Sequence, residues 1–136
     1  MSSIETQPYD QEIHRVIIAE SIRKSGKAIN AIIAEGIAFL YRDGIVVLEN
    51  AIDTANLDIL NALLSKEAIE IAQDPDHHFN FGKETRNMDQ APPPRRDLMF
   101  KDVWCNPFAV AILSAILGPR PIVHYANGNT ALKATG

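Results

Sequence analysis

Four histidines, His14, His77, His78 and His124, are the side chains of this sequence best suited to hold a metal or move a proton. An iron site of the two-histidine, one-carboxylate kind needs an imidazole and a carboxylate projected from nearly one point, with a second histidine from elsewhere. On a strand the near pair reads His-x-Asp or His-x-Glu. The residues two places after the histidines are Val16, Phe79, Asn80 and Ala126, and none is a carboxylate. The surroundings suggest other roles. His14 is expected on the surface of a helix, His77 and His78 in a solvated turn beside Asp76, and His124 in the interior face of a strand. No metal ligand and no catalytic residue is assigned.

Cys105 is the single cysteine, too few for a structural zinc site. It follows Trp104 and precedes a predicted helix, a position that can lower a thiol pKa. No histidine is near it in sequence, so a buried, inert thiol is expected. Gly128-Asn129-Thr130 has none of the surrounding glycines of a phosphate loop, and no serine nucleophile elbow is present. Residues 122–132 alternate like a strand. Period two sets Tyr125, Asn127 and Asn129 on one face and His124, Ala126, Gly128 and Thr130 on the other. Asparagine is disfavoured inside strands, so the pair needs a reason. Either this is the solvated face of an edge strand, or Asn127 and Asn129 aim two amides into a polar cavity, where each can donate and accept. In the second case they are cofactor-binding candidates.

The elements that would position these residues read as follows. Residues 1–9 are a polar tail. Asp10 caps a first helix through "QEIHRVIIAESIRKSG", striped by Ile13, Val16 and Ile17 and stopped by Gly26. A second helix, "KAINAIIAEGIAFLYRDG", carries Ile29, Ile32, Ile33, Ile37, Leu40 and Tyr41 on one face, with Gly36 marking a close contact. Residues 45–50 form a buried β-branched strand. Asp53 or Thr54 caps a long helix ending before Asp74-Pro75, with Leu57, Leu60, Leu64, Ala68 and Ile71 on one face. From 74 to 96 no period survives, three prolines stand together, and a long mobile loop is expected. Asn106, Pro107, Gly118 and Pro119 then punctuate a buried helix, and a closing strand begins at Pro121.

Composition narrows the class. An apolar fraction of 46% and a charged fraction of 22% are those of a folded globular chain. A net charge of −4 argues against a nucleic-acid partner. No apolar run approaches the ~20 residues of a membrane span, so no membrane partner is expected. The N-terminal residues lack the basic and apolar regions of a secretory signal, and one cysteine suits a reducing compartment, so a cytoplasmic protein is expected.

The stretches "YRDGIVVLENAID" (41–53) and "NPFAVAILSAILGPRPIVHYANGNTALKATG" (106–136) together resemble the phytanoyl-CoA dioxygenase family, most of all its fungal members acting on natural products. An aromatic-x-x-Asp-Gly turn into a buried strand is similar to the family's opening. So is a helix ending in Leu-Gly-Pro-x-Pro that leads to a strand with Asn-Gly-Asn. The resemblance runs from about residue 34 onward. It implies a double-stranded β-helix, a cupin-like jelly roll with helices outside, which oxidises small organic substrates with iron(II), 2-oxoglutarate and O₂. The family's His-x-Asp, distal histidine and 2-oxoglutarate-binding arginine have no counterpart before Gly136. The expected fold class is therefore α+β: one incomplete domain over 1–136, the helix-rich N-terminal portion of such a β-helix, with most of the sheet missing. Its parts are the tail, helices plus one strand over 10–73, the loop over 74–96, and the buried helix and closing strand over 97–136.

Two functions follow. The chain is a truncated dioxygenase, inactive alone and without its own cofactor, or a non-enzymatic helical interaction protein that self-associates or pairs with an intact relative. With no His-x-Asp pair in the sequence, iron titration should find no stoichiometric binding. Succinate release from 2-oxoglutarate and O₂ should stay at background, and micromolar iron affinity with turnover would refute the ligand reading.

Overall fold

The computed structural model describes residues 13–133, which leaves the expected tail and the Asp10 cap outside the described residues. The first element differs from expectation. In place of one helix from residue 11, the chain runs as a strand β1 (Arg15–Ile17) and then a short helix α1 (Glu20–Ser25). The run Ile13-His-Arg-Val-Ile-Ile is β-branched at four of six positions, which favours strand over helix. Val16 and Ile18 are buried while Ile17 points to solvent, a period of two. Gly26 still stops the helix, in the left-handed conformation, with its N–H shared between the Ile22 and Arg23 carbonyls.

Helix α2 (Asn30–Asp43) follows and ends at Gly44, also left-handed. Strand β2 (Val47–Glu49) then lies parallel to β1, with Val16 opposite Leu48. A parallel pair needs a crossover, and α1 and α2 supply it. The carboxylate of Asp43 accepts from Arg42 Nε (2.8 Å) and pairs with His14 Nδ1 (2.9 Å), so the end of α2 is fastened to the entry of β1. The Arg42 hydrogen bond, with His14 adding, holds the Asp43 carboxyl below its usual pKa. His14 is exposed, as expected.

Helix α3 (Thr54–Gln73) matches its expected bounds, and Asp53 Oδ1 caps it by accepting from Ala55 N at 3.0 Å. Its apolar stripe is only partly covered: Ala68 is buried, Leu60 and Leu64 are half-buried, and Leu57 is exposed.

The segment expected as a long loop contains a hairpin. Strand β3 (Phe79–Asn80) pairs antiparallel with β4 (Asn87–Gln90) across a 3-10 turn at Lys83–Thr85. The Thr85 hydroxyl donates to the Asn80 carbonyl (2.7 Å) and accepts from Asn87 N (3.2 Å), closing the turn. Asn87-Met-Asp-Gln alternates as a half-buried strand does, with Met88 and Gln90 inward. Only one of those four residues is apolar, so hydrophobic periodicity gives little sign of it.

A short helix α4 (Lys101–Trp104) leads into α5 (Pro107–Leu117), whose caps are those expected. Phe108 and Ile112 of α5 are buried, but Val110, Leu113 and Leu117 are exposed, so one side faces the core rather than all sides. The closing strand β5 is confined to Gly128–Ala131 and pairs antiparallel with β4, giving the sheet order β3-β4-β5. Residues 121–127 are irregular, and His124, expected in an interior face, is exposed. Cys105 is exposed as well, not buried. The described residues thus form a mixed, helix-rich α+β arrangement with a two-stranded parallel and a three-stranded antiparallel sheet.

Two cores result. One joins Val16, Ile18, Ile32, Ala51 and Phe108; the other joins Ala68 of α3 with Phe79 and Met88 of the hairpin. In the first region Gly36 lets α2 approach α5, because a Cβ there would collide with Cδ1 of buried Ile112. Gly36→Ala should therefore lose about 1–3 kcal/mol by overpacking, against the ~1 kcal/mol that alanine adds to a helix. Urea unfolding measures this, and Ile112→Val in the same chain, which removes that methyl, should recover part of the loss. A Gly36→Ala chain more stable than the parent would show that the helix contact is loose.

Candidate functional site

Leu60 and Leu64 of α3 are one helical turn apart, and their half-buried side chains form one wall of a cleft of about 400 Å³. Pro92 and Pro93 after the hairpin, Trp104 at the end of α4, and Val123 and Ala126 before β5 complete an apolar lining. Gln90, Asn129 and Thr130 provide the polar part. A volume of this order suits a small organic molecule.

Gln90 holds the cleft together. It is buried, and its amide uses all three groups that bear on its neighbours. Nε2 donates to the Leu64 carbonyl (2.8 Å) and to Glu67 Oε2 (2.9 Å), while Oε1 accepts from the Thr130 hydroxyl (2.7 Å). The Leu64 carbonyl thereby takes a side-chain donor in mid-helix, and α3 is pinned to both β4 and β5. Gly128 sits opposite Gln90, where a Cβ would collide with the Gln90 carbonyl oxygen. That close approach is the physical reason for glycine in the Asn-Gly-Asn run.

The two asparagines singled out from sequence are placed differently. Asn129 lies on β5 opposite Asp89 and lines the cleft. Its Oδ1 accepts weakly from Asn80 Nδ2 (3.4 Å), which also donates to Asp89 Oδ1 (2.9 Å). Asn127 falls in the irregular segment before β5, is exposed, and does not line the cleft. The structure therefore does not bring the two amides together in a polar cavity. The residues that sequence reasoning did not single out are Gln90, Leu60, Leu64 and Trp104. The leucines were visible as a stripe, and Gln90 as the second inward position of a strand whose other inward residue is Met88.

The histidines stay apart from the cleft. His77 packs edge-on against Phe79, ring centroids 5.4 Å apart, and its Nε2 is buried with no hydrogen-bond partner among the described residues. His78 and His124 are exposed. Among the described residues no three His, Cys, Asp or Glu side chains converge. Nor is any described helix long and apolar enough to cross a membrane. The chain matches no family model and no curated protein.

Proposed function

We propose that this chain is the substrate-enclosing part of a phytanoyl-CoA dioxygenase-like protein, and that the cleft beside Trp104 takes a small, largely apolar organic molecule. The observation that carries this reading is the cleft itself: an apolar lining with one buried, fully engaged amide at its polar end. The packing of α3 against an antiparallel hairpin, with Ala68 on Phe79 and Met88, is compatible with the edge of a jelly roll clad in helices. The family's oxidation draws on iron(II), 2-oxoglutarate and O₂. Among the described residues no three His, Cys, Asp or Glu side chains converge, and the contribution assigned to this chain is to bind, orient and exclude water. An exposed Cys105 accords with a reducing, cytoplasmic setting.

Trp104 is the single tryptophan and so reports on the cleft directly. Titration with the neutral apolar probe N-phenyl-1-naphthylamine should quench Trp104 emission saturably. Leu64→Glu should weaken binding about tenfold or more by placing a charge in the apolar wall. Equal binding by Leu64→Glu, with its circular dichroism unchanged, would remove the cleft from consideration.

A second reading, an interaction protein that associates with its own copies or with an intact relative, is favoured by one observation. Next to β5, Ile122 is 93% exposed, Val123 68% and Tyr125 77%, a run of large apolar surface. If that surface is an interface, sedimentation across a concentration series should show reversible association that Ile122→Lys with Val123→Glu abolishes. A monomer at every concentration would leave the cleft as the sole proposed role.

A further inference from the structure

A second cleft, of about 320 Å³, shares no lining residue with the first. Its floor is apolar, made by Ala51 and Phe108, both buried, and by Pro107. Its rim carries Arg23 and Lys24 of α1 and Lys101 of α4, against Asp53 and Asp102. Each of the two carboxylates is engaged. Asp102 accepts from Asp53 N and from Asn56 Nδ2, both at 2.9 Å. Asp53 caps α3 with one oxygen and faces Arg23 Nη1 at 3.2 Å with the other. Lys24 faces Glu20, outside the cleft, at 2.6 Å. Among the described residues Lys101 meets no carboxylate and makes no side-chain hydrogen bond.

We infer that this cleft binds a small organic monoanion, a carboxylate on a compact apolar body, with Lys101 as the principal charge partner and Arg23 as the second. Three features select that class. Arg23 faces Asp53 and Lys24 faces Glu20, while Asp102 is held by two neutral N–H donors, so Lys101 is the rim cation that faces no carboxylate among the described residues and is placed to meet a single negative charge. A dianion such as phosphate would face Asp53 and Asp102 with only that one unmatched cation, and like charges at short range cost affinity. The apolar floor rewards a hydrocarbon body, which an inorganic anion lacks. The first amides of α5 contribute nothing to the anion, since Phe108 N and Ala109 N already donate to Asn106. Recognition therefore rests on side chains. The guanidinium of Arg23 is steadied by Asp53 and keeps further N–H groups for a carboxylate. This inference is independent of the role proposed for the Trp104 cleft.

The test is titration of the full chain with benzoate, benzyl alcohol and inorganic phosphate, followed by amide chemical shifts. Benzoate should bind saturably and move the Gly26 and Phe108 resonances, while those of Leu64 and Gln90 stay in place. Benzyl alcohol and phosphate should bind more weakly than benzoate. Lys101→Ala, which removes no side-chain hydrogen bond or ion pair among the described residues, should weaken benzoate binding about tenfold, the scale of one charge-assisted hydrogen bond, and Lys101→Arg should restore it. Benzoate binding unchanged by Lys101→Ala, benzyl alcohol or phosphate binding as tightly as benzoate, or no saturation below about 10 mM would each overturn the inference.

Discussion

The side chain on which most of this structure depends is the buried amide of Asn106. It uses its full hydrogen-bonding capacity. Nδ2 donates to the Ala51 and Asp102 carbonyls, each at 2.9 Å, and Oδ1 accepts from Phe108 N and Ala109 N, each at 3.1 Å. One residue thus caps α5, satisfies the Ala51 carbonyl ahead of α3, and ties down the Asp102 carbonyl of α4. A helix cap alone is worth about 1 kcal/mol, and each buried carbonyl left without a donor costs about 1–3 kcal/mol. Those terms fall on one side chain, so an aliphatic residue at 106 would release three elements at once. Aspartate would keep the cap and lose both donations. Only asparagine, among side chains of this length, serves both.

Gln90 plays the same part for the other half. Asn106 and Gln90 are the buried polar residues among those described. The cores they serve are small: five residues around Phe108 and three around Met88. Area burial of that size fixes little by itself, and it is non-directional. The two amides supply direction. Gln90 sets how α3 lies on the sheet, and Asn106 sets how α5 meets the entry of α3. Glycine completes both arrangements by allowing close approach, Gly128 to the Gln90 backbone and Gly36 to Ile112.

What was legible in the sequence follows from this division. The end of α2 and the bounds of α3 and α5 were readable because capping chemistry is local: Gly44, Asp53, and the Asn106-Pro107 pair act within a turn of their own helix, whereas α2 begins at Asn30, three residues later than expected, with no side-chain cap to mark it. Strand β1 was hidden because Ile13, Val16 and Ile17 satisfy a helical spacing as well as a strand would, and its pairing partner lies some thirty residues on at Val47–Glu49. The hairpin was hidden because β3 is only two residues long and the inward residues of β4 are one methionine and one glutamine. Gln90 looks like a loop residue until Leu64 and Glu67 are placed beside it. The cleft was half-legible. Its leucine wall was in the stripe of α3, but the other walls come from four separate segments that only the tertiary fold assembles. Of the asparagine pair, β5 keeps Asn129, whereas Asn127 lies before the strand begins and outside its alternation.

Helix α4 links the two clefts. It is four residues long, with Lys101 at its start lining one cleft and Trp104 at its end lining the other. A helix this short has no stability of its own and holds its place through outside contacts. Two of them are decisive. The Asp102 carboxylate accepts from Asp53 N and Asn56 Nδ2 at the head of α3, and the Asp102 carbonyl accepts from Asn106. Asp102 therefore fastens α4 to α3 with its side chain and to α5 with its backbone. Any shift of α4 relative to the head of α3 has to break the first set, and it would carry Lys101 and Trp104 together. The clefts share no lining residue, yet they share this anchor. The β3-β4-β5 sheet lines only the cleft that contains Trp104, so the elements that reach both clefts are α4 and α3, the latter through its cap Asp53 on one side and Leu60 and Leu64 on the other.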